Sequence, residues 1–180
     1  WIAYEYLPGP SLAKLIAKGP LEPARALGAG AQIAHALHHA HQKGVLHRDV
    51  KPDNVVEVER DRYKIGDFGI AKWSGAGEVH TRTGLVVGSP AYIAPELIAG
   101  GRASARSDIY ALGISLYEIL TGRPPFDSLN IMDVLQGHLK GTAPPLSEVR
   151  PGIPAPLSQR VERAMDREPS RRHASAAELA

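Results

Sequence analysis

The order of apolar and polar positions divides the 180 residues into short extended runs, helical runs and long irregular stretches. Residues 1–7, rich in aromatic and apolar side chains, read as a strand that ends at Pro8-Gly9-Pro10. Ser11 can cap a short helix to about Lys18, where Gly19-Pro20 stops it. A long helix is expected from about Glu22 to Gln42, with Pro23 in its first turn and Gly44 after its end. Residues 45–54 read as an irregular loop, and Val55–Val58 with Tyr63–Ile65 as a small hairpin around a charged turn. Residues 67–92 carry no helical period, and a loop of that length inside a compact domain is usually functional or disordered.

Asp108–Thr121 is the clearest helix. It carries Ile109, Tyr110, Leu112, Ile114, Leu116, Tyr117, Ile119 and Leu120 on nearly every side. A helix apolar all round is normally buried, so this one is expected to be the spine of the core. Gly122 and Pro124-Pro125 end it. A helix near Leu129–Leu139, a proline-rich link over 144–156, a helix near Leu157–Asp166 and a helix beginning at Ala174 complete the pattern. The expected fold class is mainly α, a helical bundle around one buried central helix with a small β-hairpin beside it.

Composition narrows the function classes. The hydrophobic fraction of 43% is ample for a core at this length. A net charge of +2 gives no field of the kind that gathers nucleic acid or acidic membranes, and no nucleic-acid partner is expected. The absence of cysteine rules out disulfides and thiolate metal sites and fits a reducing compartment. No apolar run approaches the ~20 residues of a spanning helix. The four histidines at 35, 38, 39 and 41 have helical metal-ligand spacing. With no carboxylate or cysteine among them, they are expected to be ordinary helix residues.

Three motifs carry chemistry. They are His47-Arg48-Asp49-Val50-Lys51-Pro52-Asp53-Asn54, then Asp67-Phe68-Gly69 across the hairpin, then Ala94-Pro95-Glu96. Each triplet alone is weak; in this order and at these separations they resemble the signature set of protein kinases. The resemblance covers essentially the whole chain. Lys51-Pro52-Asp53-Asn54 and the segment Gly88-Ser89-Pro90-Ala91-Tyr92 resemble the serine/threonine class. Richness in Ala, Arg and Gly, the lack of cysteine and the look of residues 35–54 resemble bacterial members. The fold thereby implied is a kinase C-lobe, with residues 1–10 as the hinge region and 11–180 as the lobe.

The implied activity transfers the γ-phosphate of ATP to protein Ser/Thr hydroxyls, with Mg²⁺ as the metal. Phosphoryl transfer needs positioning and charge neutralisation more than covalent help. Asp49 would orient the acceptor hydroxyl and take its proton. Lys51 would set an ammonium against the moving phosphate. Asn54 and Asp67 offer hard oxygen donors for Mg²⁺. By resemblance, Tyr4 is the gatekeeper, the Glu5 carbonyl and Leu7 amide bond adenine, Val56 lies under the adenine ring and Ser11 meets the ribose. His47 and Phe68 are expected to pack together, and Asp108 to hold the catalytic-loop backbone. Glu96 is expected to pair with Arg172, with Arg171 as the alternative, and the Ser89 hydroxyl to bond Asp49 and Lys51. Arg48 would grip a phosphorylated loop. Thr81 and Thr83 resemble autophosphorylation positions, which implies self-association as well as protein substrates. Ile70 implies a preference for threonine acceptors.

A Gly-rich loop over the phosphates, a strand lysine and its glutamate partner are not found. Gly28-Ala29-Gly30 lacks the third glycine. The chain starts at Trp1, and the missing parts are expected to precede it, with the last helix cut short. The exposed face is expected to leave an apolar patch near Tyr4, Val56 and Phe68. Two rival readings are a catalytically inactive kinase-like scaffold and a small-molecule phosphotransferase. The expected location is the cytoplasm, as a free protein or as the cytosolic part of a membrane-anchored kinase.

Overall fold

The computed structural model describes residues 5–68 and 89–180. Its elements follow in chain order. Helix α1 (Leu12–Ile16) and helix α2 (Pro23–Gln42) precede the hairpin strands β1 (Val55–Glu59) and β2 (Arg62–Ile65). Then come α3 (Pro95–Ile98), α4 (Ala105–Thr121), α5 (Ile131–Lys140), α6 (Leu146–Val149), α7 (Ala155–Ala164) and α8 (Ala176–Leu179). The mainly helical class with one small hairpin is as expected.

The core is built on α4. Thirteen of its seventeen residues are buried, from Ser107 and Asp108 to Leu120. Helices α2 and α7 pack against it, and α8 closes against α2. The helix begins at Ala105, three residues before the expected start, because Ser104 and Ser107 form a capping box. These are polar residues that add nothing to an apolar period. Gly122 ends it at φ 86°, a left-handed turn that glycine adopts without steric cost. Helix α2 turns Ala26, Ala29, Ile33, Ala34 and Leu37 inward at three- and four-residue spacing.

Several boundaries differ from the sequence reading. Residues 5–7 form no strand among the described residues, since an extended run becomes a strand only where a ladder partner lies alongside. The expectation for residues 1–4, including Tyr4 as gatekeeper, lies outside the described residues. Helices α3 and α6 were not expected. Each is a single turn, too short to show a period, and α6 sits inside the proline-rich link over 144–156. Helix α7 starts two residues early because Pro156 falls within its first turn, where a missing N–H costs nothing.

Strands β1 and β2 pair antiparallel, with Val55 opposite Ile65 and Val56 opposite Lys64. Ser11 bridges to Val56, and the Glu57 amide donates to the Pro10 carbonyl at 3.0 Å. The chain passes so close there that a Cβ on Gly9 would sit 1.7 Å from the Glu57 carbonyl oxygen, so only glycine fits. These contacts lash the 5–11 segment to the hairpin that follows the catalytic-loop motif. Among the described residues, no helix is long and apolar enough to cross a membrane.

Candidate active site

The loop carrying His47 to Asn54 hangs from one carboxylate. Asp108, buried in the first turn of α4, accepts the His47 amide on Oδ2 at 2.9 Å and the Arg48 amide on Oδ1 at 2.8 Å. His41 Nε2 also meets Oδ2, at 2.8 Å. Arg48 is held at φ 66°, a left-handed conformation rare for a residue of its size. Such a backbone costs about 1–3 kcal/mol and persists only where surroundings over-determine it. The bond from its own amide to Asp108 is one such constraint. No carboxylate lies among the four histidines in the chain, but the fold brings Asp108 onto His41 from 67 residues away.

His47 is fully buried and joins the two motifs. Its ring lies 4.5 Å from that of Phe68, and its Nε2 donates to the Gly66 carbonyl at 2.8 Å. Burial holds its pKa below the usual histidine value, although the carboxylates of Asp108, Asp49 and Asp67 all pull the other way. A neutral ring can thus accept the Asp49 amide on Nδ1 at 3.2 Å while donating from Nε2. The Gly66 amide returns a bond to the Asn54 carbonyl at 2.8 Å. Asp67 follows at φ 53°, a conformation that aspartate tolerates better than most side chains. Gly69 lies outside the described residues.

The predicted catalytic side chains converge. Lys51 Nζ lies 3.2 Å from Asp49 Oδ2 and donates to Ser89 Oγ at 2.8 Å. Asn54 turns its amide NH₂ to the Asp49 carbonyl at 2.8 Å and to Asp49 Oδ2 at 3.2 Å. That orientation leaves Asn54 Oδ1 as its donor atom toward a cation, while the exposed Asp67 offers a carboxylate. Two hard oxygens of this kind fit Mg²⁺, which keeps several waters and is usually bound through one or two protein oxygens. Of the nucleotide-facing residues, Val56 and Leu7 are half-buried and Glu5 is exposed, its side chain bonded to Lys64. Ser11 Oγ caps α1 by accepting the Lys14 amide at 3.3 Å. Of the residues of the expected apolar patch, Val56 and Phe68 are half-buried and Tyr4 lies outside the described residues. The exposed large apolar side chains include Tyr6, Leu129 and Met132.

Behind the site, Glu96 and Arg172 form the expected bidentate pair, at 2.9 and 2.8 Å. Arg172 spends its remaining N–H donors on the carbonyls of Asp166, Arg106 and Arg167. Its guanidinium also lies 4.7 Å over the Tyr110 ring. Arg171, the alternative partner, is exposed. Burial alone would raise the Glu96 pKa, but Arg172 and the Ser107 hydroxyl, 2.8 Å away, hold it below the usual value.

A model of the protein kinase domain matches residues 1–179. The chain belongs to the protein kinase domain family. It is 38% identical to the serine/threonine-protein kinase PrkC of Bacillus subtilis over 99% of its own length and 28% of that protein's. It is 38% identical to PknB of Mycobacterium tuberculosis over 99% of itself and 29% of that protein, and 41% identical to PknD of the same species over 100% and 27%. The chain therefore spans less than a third of the length of these bacterial relatives. Kinase domains generally use ATP and Mg²⁺ and act on proteins. The kinase motifs located the residues above, but they do not record the contact of Tyr92, whose hydroxyl donates to Glu118 at 2.6 Å. Burial raises the pKa of Glu118, with Asp53 and Asp127 adding to it. A lone acid on an otherwise apolar helix face was the available signal. Thr81, Thr83 and Ile70 lie outside the described residues.

Proposed function

We propose that the chain is the hinge and C-lobe of a serine/threonine protein kinase that moves the γ-phosphate of ATP to Ser or Thr hydroxyls of proteins. The observation that carries this reading is the meeting of Asp49, Lys51 and Asn54 on a loop hung from Asp108. Asp49 orients the acceptor hydroxyl and takes its proton as the new bond forms. Lys51, fixed between Asp49 and Ser89, sets its ammonium where negative charge gathers on the transferred group. Asn54 and Asp67 hold Mg²⁺, which neutralises the nucleotide phosphates. The backbone of Glu5 and Leu7, with Tyr4 and Val56, receives adenine, and Ser11 faces the ribose.

Residues 1–10 act as the hinge. The Gly-rich loop and strand lysine that such chemistry requires are not among the 180 residues. Partners are protein substrates and a second copy of the kinase, which would modify Thr81 or Thr83. A phosphate there brings roughly two negative charges that Arg48 can grip. Dependence on ATP places the work in the cytoplasm, for a free or a membrane-anchored kinase.

The test is transfer of labelled phosphate from ATP by the full-length protein and its Asp49→Asn variant. The variant is expected to lose ~10²–10⁴-fold in transfer rate while binding ATP normally. Turnover near that of the wild type would remove Asp49 from this role.

A further inference from the structure

His138, in α5, is fully buried yet belongs to none of the kinase motifs. Its ring is wedged edge-on between Tyr110, with centroids 5.7 Å apart, and Phe126, 5.0 Å away. Its Nδ1 lies 2.7 Å from the Tyr110 hydroxyl. Its Nε2 is buried without a hydrogen-bond partner among the described residues. The backbone carbonyls of Pro90 and Ala91 act on the ring, and α5 packs on the turn that contains them.

These neighbours favour one tautomer. A bare Nε2 lone pair facing two carbonyl oxygens would be repelled by them. A proton on Nε2 is attracted instead and leaves Nδ1 to accept from the Tyr110 hydroxyl. Burial favours the neutral ring, pushing its pKa down to about 4. The result is one buried N–H beside the 89–92 turn that makes no bond of normal hydrogen-bond geometry. That turn is tied on either side, by Ser89 to Lys51 at 2.8 Å and by Tyr92 to Glu118 at 2.6 Å. Movement of Pro90 or Ala91 toward α5 closes the third tie.

We infer that His138 is a positioning residue, whose Nε2–H closes on the Pro90–Ala91 backbone when the acceptor peptide binds and so sets the turn that presents it to Lys51 and Asp49. The inference rests on the kinase reading above. An unpartnered buried donor is costly, so closure on peptide binding contributes to affinity for the protein substrate and not for the nucleotide.

The test uses the full-length protein with His138→Phe, which keeps the ring and loses the donor, and His138→Gln, whose amide can reach the same place. His138→Phe is expected to raise KM for the protein substrate by about 3–10-fold with KM for ATP unchanged. His138→Gln should restore most of it. Equal KM values in wild type and both variants would overturn the inference, as would a loss that Gln does not rescue. Absence of transfer by the wild type would instead sink the kinase reading. Imidazole nitrogen NMR of the wild type needs no variant to fold. A proton on Nε2 and a bare Nδ1 are expected, and the reverse tautomer would overturn the inference.

Discussion

The catalytic loop and helix α4 are held by opposite means. Helix α4 is fixed by burial. Leu112, Ile114, Ile119 and Leu120 are completely enclosed, each contributing roughly 1.5–3 kcal/mol without regard to direction. The loop over 45–54 buries few apolar side chains, Val50 among them, and is fixed by directed bonds. The Asp108, His47, Gly66 and Asn54 groups each meet a partner at 2.8–2.9 Å. Burial supplies stability but tolerates small shifts; hydrogen bonds supply little net stability but set positions closely. A phosphoryl-transfer site needs positions. Asp108 links the two, since it is rooted in the buried helix and its oxygens dictate the loop.

The largest expected effect comes from removing a whole wall of the site. Residues 1–180 alone are expected to show no measurable phosphoryl transfer. Placement of reacting groups can be worth ~7–11 kcal/mol of barrier, which half a cleft cannot supply. Calorimetric titration with MgATP should give at best weak binding, and micromolar affinity with turnover would contradict this.

A smaller effect should follow from breaking a buried ion pair that behaves like the loop. Glu96→Ala strands the Arg172 guanidinium, fully enclosed between α3 and α4, and should cost about 3–5 kcal/mol in denaturant unfolding. Arg25 with Asp61 offers the contrast. That pair lies at 2.9 Å but is solvent-exposed, and its loss should cost no more than about 1 kcal/mol.

Acid should expose the smallest difference. Burial lowers the pKa of His47, His138 and His173, so each resists a proton that the unfolded chain accepts. Their contribution is complete above the unfolded value of 6.5 and is lost as pH falls, toward about 4 for His138. That residue accounts for at most on the order of 3 kcal/mol. Glu118, whose pKa is raised by burial, offsets part of the loss by taking a proton more readily when folded. Tm measured from pH 7 down to pH 5 should decline, and His138→Phe should flatten the curve. An unchanged slope in the variant would contradict this.

How much was legible follows the same division. Elements held by burial announce themselves by period, as in Pro23–Gln42 and the apolar run of α4. Single turns such as α3 and α6 cannot, because four residues contain no repeat. The convergence of the proposed catalytic residues was legible because Asp49, Lys51, Asn54 and Asp67 sit within one short stretch of chain. The tie from Asp108 and the Glu96–Arg172 pair were legible only through resemblance, since their partners lie 60 to 76 residues apart. His41 on Asp108, Tyr92 on Glu118 and His138 on Tyr110 were not legible. Each is one polar contact between distant segments, and neither periodicity nor motif records such a contact.

The dependence of the loop on α4 is tested most directly by comparing Asp108→Asn with Leu112→Ala in the full-length protein, measuring transfer rate and Tm for both. Asp108→Asn removes a charge from the bonds to His47 and Arg48 and shifts the loop. It should lower kcat about 100-fold with a modest loss of Tm. Leu112→Ala opens a cavity in the buried helix and should cost about 2–5 kcal/mol of stability. Below its melting temperature, its kcat should stay near that of the wild type. If activity in the two variants instead falls only in proportion to their loss of stability, the loop is not positioned by Asp108 and the account is wrong.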